Sequence, residues 1–337
     1  LPSDIGLIHL LKLKGYRLRP VMTRKTNLAA KYKIDYSTME WAAHTDSVYG
    51  YAVSLPKGYV HKTRILGGTS MMYGDLSTQT ELMVSAVFVG GLNGLTAEAF
   101  LKQEYEKRTA NIKHQIVSEK LLEKNGIQGM QIITDHDNML TKWEFWLKNN
   151  TLYTLSAFTS NGQLDSYLSD HFFNSLTILN IAQDTHLGES IYETGAFAIK
   201  MPPKTQYIYQ TGEELLGDEK LQYGIYSYFS MDRIRKTHYL VQYHDYPIGY
   251  TMTDRALVLK ELHKNVAKNP AITITSFEAC KKDNAIGTTL SAQLEKSNLF
   301  AQTWIRGNRI YQVMQENLDK ENKEMDSAFF SSFRMIP

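Results

Sequence analysis

The sequence predicts an α+β protein of two tandem domains, each an antiparallel β-sheet with helices packed on it. Three pairs of segments carry that prediction. Tyr51-Ala52-Val53-Ser54-Leu55-Pro56 returns as Phe197-Ala198-Ile199-Lys200-Met201-Pro202. Trp146-Leu147-Lys148-Asn149-Asn150-Thr151-Leu152-Tyr153 returns as Trp304-Ile305-Arg306-Gly307-Asn308-Arg309-Ile310-Tyr311, and Phe172-Phe173-Asn174-Ser175-Leu176 as Phe329-Phe330-Ser331-Ser332-Phe333. The offset is 146, then 158, then 157, so one register runs through both copies with few insertions. A chain of 337 residues suits two domains that each bury a core. Duplication also gives every candidate catalytic residue a control at the matching position of the other copy.

The elements follow in order. Tyr51 to Leu55 alternates and stops at Pro56, which cannot continue a ladder. Gly67-Gly68 and Gly74-Asp75 read as turns, and Leu82 to Val89 is an apolar, β-rich run. Thr96 sits where an N-cap belongs, and Glu98 lies where the helix dipole favours an acid, so a helix is predicted to Arg108. Strands are expected within Ile112–Leu122, Gly129–Thr134 and Lys142–Lys148, with a polar turn at Asp135-His136-Asp137-Asn138. Asn149-Asn150 turns the chain into a strand from Leu152 to Phe158, because Asn tolerates positive φ. A helix over Leu164–Leu176 closes the copy.

The second copy repeats this order. It has strands at Phe197 and Tyr239–Tyr243, a break at Pro247 and Gly249, and a helix from Thr253 to about Lys268. Strands near Ile272, Gly287 and Phe300, a hairpin at Gly307-Asn308 and a helix ending at Phe333 follow. The boundaries predicted are a basic extension over 1–46, a first repeat over 47–179, a linker over 180–194 and a second repeat over 195–337.

The opening Tyr-x-Val-x-Leu-Pro strand, the Trp…Asn-Asn…Tyr hairpin and the Phe-Phe-x-Ser helix end, twice in one order, resemble the PsbP-like fold, a group that includes the DcrB-like proteins. The resemblance covers about residues 47–337. It implies an antiparallel α+β fold and a role in binding or assembly, and it carries over no active-site residue.

Composition narrows the class. Hydrophobic content of 43% and charged content of 21% fit globular protein, and no apolar run is long enough to span a membrane as a helix. The start, Leu1-Pro2-Ser3-Asp4, lacks Met and is not a signal peptide, so the chain reads as a processed or trimmed product. A single cysteine, Cys280, forbids an intrachain disulfide, and its match to Leu122 marks it as a small buried hydrophobe. Charge is uneven. Eight basic residues, among them Lys12, Lys14, Arg17 and Arg19, against Asp4 give residues 1–34 a charge of +7 within a chain of +2. Such a segment could meet an anionic surface, or protect an edge strand with lysines.

The chemistry-bearing clusters are few. Asp135, His136 and Asp137 could hold a divalent cation or do acid–base work, though adjacent strand residues point to opposite faces and Gln293-Leu294-Glu295 replaces the trio in the other copy. His238 and His244 share a strand face without an evident third ligand. Gly90-Gly91-Leu92-Asn93-Gly94 lacks the Lys-Ser/Thr ending of a phosphate loop. Neither Gly-x-Ser-x-Gly nor His-Glu-x-x-His occurs. The paired aromatic hairpins lack interleaved Lys/Arg, so no specific nucleic acid is expected. Tyrosines crowd the second copy, and Tyr223-Gly224-Ile225-Tyr226-Ser227-Tyr228-Phe229 is the expected partner surface, through Tyr223, Tyr226, Tyr228 and Phe229.

The sequence thus points to a non-enzymatic binding or assembly protein with an unidentified protein partner and no cofactor, expected in the periplasm or cell envelope of a bacterium. The alternatives are a metal module at Asp135, His136 and Asp137, and an anionic-surface binder acting through residues 1–34.

Overall fold

The computed structural model describes residues 36–336, apart from 59, 66, 76–79, 90–91, 93, 111–113, 137–138, 160–165, 182–185, 217–218, 283–284 and 296. The chain forms two compact units that divide near residue 181.

In the first unit the strands are β1 (Trp41–Asp46), β2 (Tyr51–Pro56), β3 (Val60–Ile65), β4 (Gly68–Asp75) and β5 (Thr80–Phe88), followed by helix α1 (Ala97–Thr109). Then come β6 (Gln115–Lys124), β7 (Ile127–His136), β8 (Met139–Lys148), β9 (Thr151–Thr159), helix α2 (Ser166–Asn174) and β10 (Thr177–Ile178). They build a seven-stranded sheet in the order β3-β4-β5-β9-β8-β7-β6 and a three-stranded sheet in the order β1-β2-β10.

The second unit runs β11 (Gly188–Tyr192), β12 (Phe197–Met201), β13 (Gln206–Leu216), β14 (Glu219–Asp232), β15 (Thr237–Asp245) and helix α3 (Arg255–Ala267). It continues with β16 (Ile272–Lys282), β17 (Ala285–Leu294), β18 (Asn298–Arg306), β19 (Arg309–Asn317), helix α4 (Ser327–Ser332) and β20 (Arg334–Met335). The sheet orders repeat as β13-β14-β15-β19-β18-β17-β16 and β11-β12-β20. The chain is therefore two tandem α+β units of one design.

Each copy is held together internally by the same contacts, and they explain the recurring motifs. The Tyr153 hydroxyl donates to the Tyr49 carbonyl at 2.7 Å, and Tyr311 to Gly195 at 2.9 Å, each clamping the large sheet to the small one in a buried position. Ser175 Oγ accepts from Ser54 N at 2.9 Å, and Ser332 Oγ accepts from Lys200 N at the same distance. Both serines donate to the carbonyl three residues back, at 2.7 Å. The Phe-Phe-x-Ser ending thus buries two rings and ties its helix to the Pro-terminated strand. Thr96 Oγ1 caps α1 through Ala99 N at 3.2 Å, and Asp254 Oδ1 caps α3 through Leu257 N at 2.9 Å.

One row of directly opposed residues crosses each large sheet. In the first unit it is Thr69, Ala86, Tyr153, Trp146, Gly129 and Leu122. In the second it is Tyr209, Tyr226, Tyr243, Tyr311, Trp304, Gly287 and Cys280. The indole of each Trp lies across the facing Gly. A Cβ on Gly129 would stand 2.5 Å from Trp146 Cε3 and 2.8 Å from the Phe145 carbonyl oxygen. On Gly287 it would stand 2.5 Å from the Thr303 carbonyl oxygen. Because the second obstacle is backbone, rotating the Trp does not relieve it. Gly129→Ala and Gly287→Ala are each expected to cost about 1–3 kcal/mol by overpacking, read as a lower midpoint in urea unfolding with an unchanged slope.

Some elements depart from the sequence reading. β1 pairs with β2 along its whole length, so the first domain begins inside the expected basic extension. β11 pairs with β12, so a strand occupies the expected linker. Gly68 and Gly74 lie within β4, and Asp135-His136 ends β7 instead of forming a turn. Asn149 and Asn150 have the expected positive φ, 50° and 56°.

Candidate functional site

Residues that recur at matching positions account for packing. The candidate site lies where the second copy departs from the first. Its core is the tyrosine end of the cross-sheet row, where Tyr243 and Tyr226 replace Ala86 and Thr69.

Strand alternation builds the patch. Tyr207 and Tyr209 on β13 face Tyr228 and Tyr226 on β14, all on the sheet face that carries Phe197. Tyr209 and Tyr226 rings are 5.0 Å apart, and Tyr226 stacks on Tyr243 at 4.5 Å and 4°. A parallel row joins Tyr207 to Tyr228 at 5.3 Å and Tyr228 to Tyr192 at 4.1 Å. The rows run from the buried core to solvent: Tyr243 is fully buried, Tyr226 and Tyr228 are half-buried, and Tyr207 and Tyr209 are 46% and 52% exposed. Arg309 anchors the inner end. Its guanidinium lies 5.4 Å from the Tyr243 ring centre and makes a two-pronged pair with Asp245 at 2.8 and 3.2 Å.

Burial, reinforced by neighbouring phenols, pushes the Tyr226, Tyr228 and Tyr243 hydroxyls above the usual range. Tyr51 and Tyr239 are raised for the same first reason, with Asp46 and Asp326 adding to it. These groups favour the neutral form in the fold, whereas in the unfolded chain they ionise near the ordinary value of 10.0. Their contribution to stability is therefore complete below about pH 10 and is lost as pH rises beyond it. Urea midpoints measured from about pH 9 to about pH 11.5 are expected to hold level and then fall.

The four tyrosine-strand residues expected to form the partner surface do not share a face. Tyr226 and Tyr228 belong to the patch. Tyr223 and Phe229 alternate to the other side, where Phe229 is buried at 2% exposure and Tyr223 stacks on Tyr246 at 4.5 Å. The residues that complete the patch, Tyr207 and Tyr209, had a signal in the sequence. Tyr207-x-Tyr209 has the same period-two spacing as Tyr226-x-Tyr228.

The other candidate residues stand apart from this patch. Lys12, Lys14, Arg17, Arg19 and Asp137 lie outside the described residues. Asp135 and His136 are successive residues of one strand and point to opposite faces, so they do not converge. His238 Nδ1 lies 3.3 Å from Glu316 Oε2, and His244 Nε2 lies 3.2 Å from Gln242 Oε1. Among the described residues no three His, Cys, Asp or Glu side chains gather as a metal site. Cys280 packs against the core, and burial pushes its thiol up, away from the reactive thiolate. Among the described residues no helix is long and apolar enough to cross a membrane.

No family model and no curated protein matches this sequence. Among solved structures, the chain is similar to the solution structure of cyanobacterial PsbP (CyanoP) from Synechocystis sp. PCC 6803. The match has 12% identity, covers 47% of this chain and 98% of that one, and has a TM-score of 0.30. It is also similar to the apo structure of the immunity protein TplEi of the T6SS from Pseudomonas aeruginosa, at 9% identity over 90% of this chain and 99% of that one, with a TM-score of 0.23.

Proposed function

We propose that this chain is a non-enzymatic binding protein that captures a protein partner at the β13 edge of its second unit. The observation that carries this reading is the tyrosine ladder, which leads from the core to an edge strand and is absent from the first copy. Tyr gives large contact area with few rotors to freeze, which suits it to partner surfaces.

The edge itself supports the reading. Natural sheets blunt their edges with lysines, prolines or bulges. β6 has a bulge between Ile116 and Ser118, and β16 has one at the matching place, between Ile274 and Ser276. β3 carries Lys62 and Arg64. β13 has none of these: its register with β14 is unbroken from Gln206 to Leu216, and it contains no Lys, Arg or Pro. A partner strand added to β13 would gain backbone hydrogen bonds and set side chains against Tyr207 and Tyr209.

The test is cross-linking capture from native cells with the full-length chain, comparing wild type with Tyr207→Ala/Tyr209→Ala. Both sites are exposed, so the double variant is expected to keep wild-type thermal stability and lose at least about tenfold in partner recovery. Equal recovery of the same partner by the folded variant would overturn the proposal.

A further inference from the structure

The face of the second unit that carries α3 differs from its counterpart in the first unit in seating, in charge and in the aliphatic groups it leaves uncovered. In the first unit α1 packs over β7 and β8 and buries Phe100, Leu101, Tyr105 and Thr109. In the second, α3 packs over β16 and β17, one strand nearer the sheet edge, and buries Leu259 alone. The helix is seated shallowly, with open space beneath it over β17, β18 and β19.

The two caps, Thr96 and Asp254, put the helices in register. Leu257, Lys260, Lys264 and Lys268 then replace Ala99, Lys102, Glu106 and Ala110. The four follow one another at spacings of three and four residues, so they line up along one stripe. That stripe faces solvent: the three lysines are exposed and Leu257 is 52% exposed, on the side of the helix away from Leu259. The one acid of α3, Glu261, pairs with Lys264.

The turn before α3 adds an apolar tip. The Tyr250 amide donates to the Pro247 carbonyl at 3.0 Å, and Gly249 has a φ of 97°, so residues 247–250 form a tight turn whose third place suits Gly. Ile248 stands at its apex, fully exposed. The base of the turn is braced by rings: buried Tyr246 stacks on Tyr250 at 5.0 Å and on Tyr223 at 4.5 Å. The first copy has Gly90-Gly91-Leu92-Asn93-Gly94 ahead of its helix instead.

A single exposed aliphatic residue is ordinary. Here a braced apex, a second aliphatic in the first turn of the next helix and a row of lysines follow one another, and the first copy lacks the combination. That pattern matches the surface of an anionic bilayer, where aliphatic side chains enter the acyl boundary and lysines extend to the headgroups. A nucleic acid would engage the lysines but leave Ile248 and Leu257 in water.

We infer that the α3 face docks on an anionic lipid surface, with Ile248 and Leu257 entering the boundary between headgroups and acyl chains and Lys260, Lys264 and Lys268 on the lipid phosphates. The tyrosine patch lies on the opposite face of the sheet and takes no part.

The test is sedimentation of the full chain with vesicles of phosphatidylcholine and phosphatidylserine, against vesicles of phosphatidylcholine alone. Wild type is expected to bind the mixed vesicles at least about tenfold more tightly, with affinity falling as salt rises. Lys260→Gln/Lys264→Gln/Lys268→Gln should weaken that binding about 100-fold, near fivefold for each lysine. Ile248→Ser/Leu257→Ser keeps every charge and should weaken it about tenfold. All five positions are exposed, so both variants are expected to keep the wild-type unfolding midpoint. No binding of the mixed vesicles by folded wild type overturns the inference. So does equal binding by wild type and both folded variants, because the contact then lies elsewhere, as in residues 1–34. A loss confined to one variant also overturns it: the lysines alone would mean a polyanion surface such as nucleic acid, and the aliphatics alone a contact indifferent to charge.

Discussion

Changing Phe145 to Ala is expected to lower stability by about 3–5 kcal/mol, among the largest effects of any single substitution in the chain. Phe145 is fully buried, stacked on Trp143 and edge-on to Tyr105. Truncation removes its burial and leaves a void that neighbours bound into a seven-stranded sheet cannot close. Equilibrium urea unfolding followed by far-UV circular dichroism measures it. A loss below about 1 kcal/mol would mean that α1 collapses onto the gap, so that this layer is more pliable than its packing implies. In the second unit Thr303 takes the matching register position, and the space above it stays open.

Phe197→Ala is expected to cost a similar amount, about 3–5 kcal/mol, in the second unit. Phe197 sits on β12 where the small sheet meets the large one. Its ring is 4.7 Å from that of Tyr192, 5.8 Å from Phe333, 6.1 Å from Tyr243 and 6.3 Å from Tyr311. Two of these neighbours, Tyr192 and Tyr243, belong to the tyrosine rows, so the substitution should also loosen the patch. The expected result is a lower urea midpoint together with weaker partner capture. Tyr207→Ala/Tyr209→Ala should affect capture alone, because those side chains are exposed and support no core. Unchanged capture by a destabilised but folded Phe197→Ala protein would show that the outer tyrosines act without support from the core.

The duplication and much of each repeat were legible in the sequence because the contacts that recur are made by residue types with few substitutes. Only Tyr reaches from β9 or β19 to a carbonyl in the turn before β2 or β12, and the Ser at each helix end both accepts and donates. Such residues return at a fixed offset, and the offset is visible without coordinates. The strands β3, β4, β11 and β13 were harder to see. Their glycines, lysines and tyrosines say more about an edge or a turn than about a ladder, and what makes them strands is the neighbour they pair with.

The sequence by itself determined that there are two copies, that each is an α+β unit, that Thr96 caps the first long helix, and that the second copy concentrates tyrosine. Only the tertiary structure decided which tyrosines act together. Alternation sends Tyr226 and Tyr228 to one face and Tyr223 and Phe229 to the other, while pairing with β13 brings Tyr207 and Tyr209 into the patch. The tertiary structure also decided that α3 rests one strand further out than α1 and leaves a cavity. The physical reason is the range of the forces concerned. Capping, turn chemistry and hydrophobic period act over a few residues and are written in order along the chain. Strand register and the seat of a helix on a sheet are set by shape complementarity between segments far apart in sequence, and shape appears only once they meet.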